Sequence, residues 1–355
     1  MTGLTGTSVL PSAAELETAA ALVYAVMPPT PQYRWPLLEA RVAAAAEVWV
    51  KHENHTPAGA FKVRGGIVYF DGLARQMPRV AGVVTATRGN HGQSVGLAAR
   101  RHGIPAVIVV PRGNSREKNA AMRALGAELV EVGDDFQAST EAADAIAAER
   151  GWHRLPSFHR DLVAGVGTYA VELFRGAPTL DVVYVPIGMG SGACGVLAAR
   201  AALGARAQVV GVVSAHAPAY ARSLASGRAE SHPVATVLAD GMACRTPDLR
   251  ALDVLAGRAG APGLDRVVEV TDAEVAGAMR ALFADTHNVA EGAGAAALAA
   301  LVQERQRAPE LVTGRRVAVV LCGGNVDADV FARVLAGEGG AGGAGRVRRR
   351  MRRGG

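Results

Sequence analysis

The sequence predicts an α/β protein built on mostly parallel sheets, and three observations point there. Short β-branched runs alternate along the chain with longer amphipathic segments, the order that gives parallel strands joined by covering helices. Gly103-Ile104-Pro105 and Gly126-Ala127-Glu128 each close a helical stretch and lead into a strand, so residues 82–133 read as one βαβαβ unit. At 355 residues the chain is too long for one small core and suits two domains or one large α/β unit.

Taken in order, residues 1–11 are expected to lack regular structure. Residues 13–26 carry helical apolar spacing, which Pro28-Pro29-Thr30-Pro31 ends. Val48-Trp49-Val50 opens a strand, and further strands are expected at 82–85, 106–110, 128–132, 182–185, 209–213, 267–270 and 317–321. Helical stretches such as 91–102, 115–125, 136–150, 192–203, 272–286 and 292–306 lie between them. After Ala336 the chain becomes glycine-rich and then arginine-rich, a composition that cannot bury a core and predicts a flexible tail over 337–355.

Composition narrows the function. Half of the residues are hydrophobic and 20% are charged, as in soluble globular proteins. The net charge of +6 would suit a nucleic-acid binder, but Arg346, Arg348, Arg349, Arg350, Arg352 and Arg353 all fall in the last ten residues. With those six set aside, the basic residues match the 32 acidic ones, and no aromatics interleave with the arginines. A tail-driven binder of acidic partners is therefore a lesser reading. The longest near-apolar run, 289–302, carries Glu291 and is too short to span a bilayer. Three widely spaced cysteines form no metal-ligand pattern. With no signal peptide evident, a reducing, cytoplasmic setting is expected.

The chemistry centres on the stretch from Glu53 to Gly66. Lysine occurs only at Lys51, Lys62 and Lys118 among 38 basic residues. A chain that otherwise uses arginine can retain lysine where a proton must be lost, because a free amine attacks carbonyls and forms Schiff bases and a guanidinium does not. Lys62 follows Gly59-Ala60-Phe61 and precedes Arg64-Gly65-Gly66, a setting in which backbone can approach a ligand closely. Gly188-Met189-Gly190-Ser191-Gly192 follows a strand and opens a helix, which suits either a phosphate or simply a tight turn. Gly190, Gly192 and Gly195 have dinucleotide spacing, but the next strand ends in Ser214-Ala215-His216 with no acidic residue for a ribose. Thr87-Arg88-Gly89-Asn90-His91-Gly92 opens another helix after a strand, as a plain capped turn or as a carboxylate site. Cys322-Gly323-Gly324-Asn325 closes the last strand, where α/β sheets place ligands and where a buried thiol is also common.

Together these stretches, with Ala239-Asp240-Gly241 and Glu291-Gly292-Ala293, resemble the serine/threonine dehydratase family of fold-type II pyridoxal-phosphate enzymes. They occur in the family's order and span residues 53–325. The resemblance implies a tryptophan synthase β-like fold with two doubly wound domains. These are a large cofactor-binding domain (12–78 plus 156–336) and a small one (79–155). Lys62 would be the Schiff-base lysine, with Phe61 along the ring and Asn90 at its 3′ oxygen. Residues 188–192 would hold the phosphate, and Cys322 would face the ring nitrogen, with Glu291 among the cofactor-binding residues. Thr87, Arg88, Gly89, Asn90 and His91 would bind the substrate.

The implied reaction is an ammonia-lyase reaction on L-threonine, with L-serine as a second substrate. The Lys62 amine removes the Cα proton, the β-hydroxyl leaves, and the enamine hydrolyses to ammonia and a 2-oxo acid. A homodimer or other homo-oligomer is implied, without membrane or nucleic-acid partners. Some positions depart from the family's pattern. Arg88 stands where relatives carry Ser or Ala, and racemases use that Ser as an acid/base, so racemisation is not expected. Arg88 can read an acidic side chain, as in 3-hydroxyaspartate, or point outward and pair with a protein carboxylate. Phenylserine is a further alternative substrate; a β-replacement reaction fits the residues around Arg88 and Cys322 less well. Val213 and Ala219 align with the acidic pair of cation-binding relatives, so no metal site is expected. Val166 replaces a common Gln, and no regulatory domain is expected after residue 336.

Overall fold

Two sheets carry the chain, and each follows from how its strands are written. The computed structural model describes residues 10–338 apart from Ala44, Ala46 and Asp135. The expected unstructured stretch over 1–9 and all but Gly337 and Glu338 of the expected tail therefore lie outside the described residues. The strands are β1 (Gln32–Arg34), β2 (Glu47–His52), β3 (Val83–Ala86), β4 (Ala106–Val110), β5 (Glu128–Glu131), β6 (His153–Arg154), β7 (Val182–Pro186), β8 (Gln208–Ser214), β9 (Arg266–Val270) and β10 (Arg316–Leu321). Six form one sheet in the order β1-β2-β10-β7-β8-β9, and four form the other in the order β5-β4-β3-β6.

Only β1 runs antiparallel, against β2, while every other pairing is parallel. Strands covered on both faces read as unbroken apolar runs, and β4 (Ala-Val-Ile-Val-Val) and β7 (Val-Val-Tyr-Val-Pro) are buried at every position. The expected βαβαβ unit is present as β3, helix Asn90–His102, β4, helix Arg116–Ala124 and β5.

β1 and β6 were not expected. They are three and two residues long, largely polar, and take their conformation from the strand beside them. The longest helix, Arg160–Gly176, also escapes the periodicity, because Gly165-Val166-Gly167 interrupts it like a loop. In the fold it packs along Lys62–Gln76 and Ser191–Leu203, the helices that begin at the reactive-lysine and glycine-rich stretches. The alanine-rich helix Gly292–Arg307 lies on the large sheet, its small side chains allowing close approach to β7 and β10.

A charge network anchors the first turn of helix Lys62–Gln76. Arg64 is fully buried and donates to both oxygens of Glu53 (2.8 and 3.0 Å) and of Glu172 (2.7 and 3.0 Å). It also donates to Thr168 (2.9 Å). Lys51, equally buried, donates to Glu172 at 2.5 Å and to the Thr30 carbonyl at 2.8 Å. Two cations face two carboxylates and nearly every donor is used, the condition under which buried charge is tolerated. The consequence is positional, because Arg64 cannot move without Lys62 moving too.

Candidate active site

Three loops that leave C-terminal ends of parallel strands converge with the turn before Lys62, the place where α/β sheets bind ligands. Thr56 holds that turn by accepting from the Ala60 amide (2.9 Å) and donating to the Ala60 carbonyl (2.8 Å). The turn is stitched to the loop after β10 by Phe61 N–H to the Cys322 carbonyl (3.0 Å) and Gly324 N–H to the Gly59 carbonyl (2.9 Å). Gly59 has φ +65°, and a Cβ there would lie 2.4 Å from Asn325 Oδ1, so both its conformation and its contact require glycine. Lys62 is thereby fixed beside Cys322.

Two adjoining pockets share Lys62, Asn90, Gly188, Met189 and Gly241. The inner one is lined by Phe61, residues 188–192, Glu291 and Cys322; the outer one by Thr87, Arg88, Gly89 and His91. Every site residue expected from the sequence thus lies on one continuous cavity. The outer pocket also takes in Lys118, Asp240 and Cys244.

The Lys62 amine stands 4.7 Å from the Phe61 ring centroid. Burial lowers its pKa from the ordinary lysine value, and the nearby Cys322 and Glu291 oppose that shift. Among the described residues it has no ion-pair partner. Cys322 is buried, and desolvation with the neighbouring Glu291 raises its pKa, so it stays a neutral thiol. His91 is also buried, and burial followed by the nearby Lys62 charge pushes its pKa down to about 3, leaving a neutral imidazole.

Lys118 bridges the two sheets' loops. Its ammonium contacts Asp240 at 2.7 Å and Glu291 at 3.0 Å. Burial alone would lower the Lys118 pKa, but these carboxylates outweigh it and the net shift is upward. Glu291 shifts upward as well: desolvation dominates over the Lys118 attraction. Asn90 donates to Glu291 at 2.5 Å and accepts from Asn325 at 2.9 Å, so its amide is held from both sides. Sequence reasoning singled out Asp240 and Glu291 by motif but assigned Lys118 no part; its rarity as one of three lysines was the available signal.

Arg88 had two readings. It was expected either to read a ligand or to pair outward with a protein carboxylate. It forms no ion pair or hydrogen bond among the described residues, and its Nε is buried without a partner. Arg88 is half-buried on the outer pocket, and no described carboxylate pairs with it there.

The glycine-rich turn fits a phosphate-bearing cofactor. A Cβ at Gly188 would lie 2.3 Å from the Gly241 carbonyl, so the backbone is stripped to its minimum there. Gly190, at φ +96°, starts helix Ser191–Leu203 with its N-terminus on the inner pocket.

An amine of lowered pKa, a neutral thiol and a glycine-rich turn at a helix start share one cavity, which suits a carbonyl-bearing phosphate cofactor. The family model described as pyridoxal-phosphate dependent enzyme matches residues 25–323, and the chain belongs to that family. It therefore depends on pyridoxal 5′-phosphate. It is 35% identical over 290 residues to the L-threonine ammonia-lyase of Thermotoga maritima, covering 81% of this chain and 70% of that one. Among solved structures, a threonine deaminase of T.th. superposes with TM-score 0.79 at 29% identity, over 89% of this chain and 99% of that one. A pyridoxal 5′-phosphate-dependent aspartate racemase superposes with TM-score 0.83 at 27% identity, over 90% and 97%.

Proposed function

We propose that the protein is an ammonia-lyase that eliminates water from L-threonine, and from L-serine, to give a 2-oxo acid and ammonia. One observation supports this most directly: Lys62 carries the cavity's one amine that is free of a carboxylate partner among the described residues and has a lowered pKa. The other groups there make poor bases. Lys118 is held protonated, His91 is neutral and barely basic, a guanidinium such as that of Arg88 is no base, and the Cys322 thiol is neutral. A single base serves a single face of the substrate. That supports elimination over racemisation, which needs an acid on the opposite face.

Pyridoxal phosphate, when bound, supplies the electron sink that makes the Cα proton removable. In this reading Lys62 would anchor it, residues 188–192 would hold its phosphate, and Phe61, Asn90 and Cys322 would line the rest of its site. Glu291 orients Asn90, and the turn 87–91 receives the substrate carboxylate. Once the substrate's amine has displaced it, the Lys62 amine would take the Cα proton, the β-hydroxyl would leave with a proton as water, and the enamine would tautomerise and take up water to release ammonia. Threonine thus yields 2-oxobutanoate and ammonia with all atoms accounted for. We take residues 12–78 with 156–336 and residues 79–155 as two domains closing on this cleft, in a cytoplasmic homo-oligomer.

The test is 2-oxo-acid release from a panel of β-hydroxy amino acids with added cofactor, alongside visible absorbance. The wild type should be yellow and convert threonine; Lys62→Ala should lose both properties. Retained visible absorbance unchanged in Lys62→Ala would place the anchor elsewhere, and racemised threonine without 2-oxobutanoate would refute the reaction class.

A further inference from the structure

We infer that Arg88 binds a second carboxylate on the substrate, making the preferred substrate a β-hydroxy α-amino acid with an acidic side chain, of which 3-hydroxyaspartate is the simplest. This rests on the elimination chemistry proposed above and deepens it.

Many of the chain's buried or half-buried arginines pair with carboxylates, as Arg64 with Glu53, Arg150 with Glu128, Arg266 with Glu304 and Arg316 with Asp181, while others such as Arg280 and Arg305 donate to backbone carbonyls. Arg88 does neither among the described residues. It is half-buried on the outer pocket, beside Lys62 and Asn90, and its Nε is out of solvent with no partner among the described residues. A buried charged donor left unpaired is costly, by more than a neutral one, so a site that retains it is complete only with an acceptor present. One turn further along, His91 Nε2 is likewise buried without a partner and faces the same pocket.

The cavity's own carboxylates do not supply that acceptor. Asp240 and Glu291 both contact Lys118, and Glu291 also accepts from Asn90. Among the described residues no carboxylate is left to serve Arg88, and a ligand carboxylate would supply the acceptor. The planar fork of a guanidinium matches a carboxylate bidentately, which neither the methyl of threonine nor the hydrogen of serine can use. Elimination from 3-hydroxyaspartate proceeds as for threonine: the Cα proton and the β-hydroxyl leave, and the enamine hydrolyses to oxaloacetate and ammonia. The second carboxylate is spectator to every bond change.

The experiment compares wild type, Arg88→Ala and Arg88→Lys as holoenzymes, with the visible spectrum and melting temperature confirming that each is folded and loaded. Arg88→Ala should lower kcat/KM for 3-hydroxyaspartate by about ten- to a hundredfold more than for threonine, the range of a hydrogen bond to a charged group. Arg88→Lys should recover only part of that difference. Equal losses on both substrates would mean that Arg88 holds the α-carboxylate common to them, overturning the proposal. O-phosphoserine presents a phosphate instead; its turnover above 3-hydroxyaspartate, lost in Arg88→Ala, would also overturn the carboxylate assignment. Calorimetric titration with succinate, and with butanoate as the monocarboxylate control, reads binding without turnover. Succinate should bind the wild type at least tenfold more tightly than Arg88→Ala, with butanoate far less affected. No succinate binding to the wild type, or equal binding to both, refutes the role of Arg88. If no amino acid is turned over, the reaction class fails, and the succinate comparison still decides on Arg88.

Discussion

Replacing Lys118 by Met keeps most of its side-chain volume and removes the one cation that faces both Asp240 and Glu291. Glu291 is 2% exposed and sits 3.0 Å from the lost ammonium, so it is left as a buried carboxylate with only Asn90 donating to it. Breaking a buried pair in this way costs about 3–5 kcal/mol if the remaining charge persists. Glu291 can escape that cost by taking up a proton. Its pKa is already raised by desolvation, and Lys118 is what holds it down, so the substitution drives it further up.

The sign follows from linkage. A carboxyl whose native pKa lies above its unfolded value keeps a proton that the unfolded chain has lost. Stability is then present below the ordinary glutamate range, near 4.5, and falls as pH rises toward the native pKa. The variant should therefore melt close to wild type near pH 5 and progressively lower above it. The gap grows by up to about 1.4 kcal/mol per pH unit until the full cost of the charged carboxylate is reached. Melting of the cofactor-bound proteins at pH 5, 6.5 and 8 measures this. A gap that does not change with pH would show that Glu291 is not the uncompensated group.

Two further outcomes follow from the same cavity. Gly188→Ala places a Cβ 2.3 Å from the Gly241 carbonyl, so the turn must shift; cofactor affinity, titrated by visible absorbance, should fall at least about tenfold with a smaller change in apo-protein melting. Unchanged affinity would remove the turn from the cofactor site. Chelators should leave activity intact, since no group of three His, Cys, Asp or Glu side chains among the described residues could hold a metal ion; inhibition reversed by magnesium would reveal a cation site.

The parallel sheets were legible because their central strands β3, β4 and β7 are buried at every position and written as nearly unbroken apolar runs; the expected limits of the strand at 106–110 match β4. β1 and β6 were not, because their Gln-Tyr-Arg and His-Arg sequences carry no pattern and owe their conformation to β2 and β3. In the site, glycine-rich turns at strand ends were readable one by one, and the cavity that unites them required the fold. Pairings across long sequence separations were invisible. Glu172 lies 121 residues from Lys51, and Asp240 lies 122 from Lys118, so no local spacing could have disclosed either partner. Arg88 is the reverse case: its position was conspicuous, and only its surroundings could show that no carboxylate among the described residues pairs with it.

The scarcity of lysine turns out to carry more than one meaning. All three lysines lie on or behind the cavity, and only Lys62 has the unpaired amine that reactivity demands. Lys118 is driven the opposite way, its pKa raised by two carboxylates, so its value lies in staying charged. Lys51 shows a third case: desolvation lowers its pKa against the pull of Glu172 and Glu53, within the network that holds Arg64. A compact ammonium meets two or three acceptors at a point, where a guanidinium would need a wider, planar opening. Lability explains one lysine and close packing of charge the other two, so a rare residue type marks the centre of this protein without by itself identifying the catalytic member.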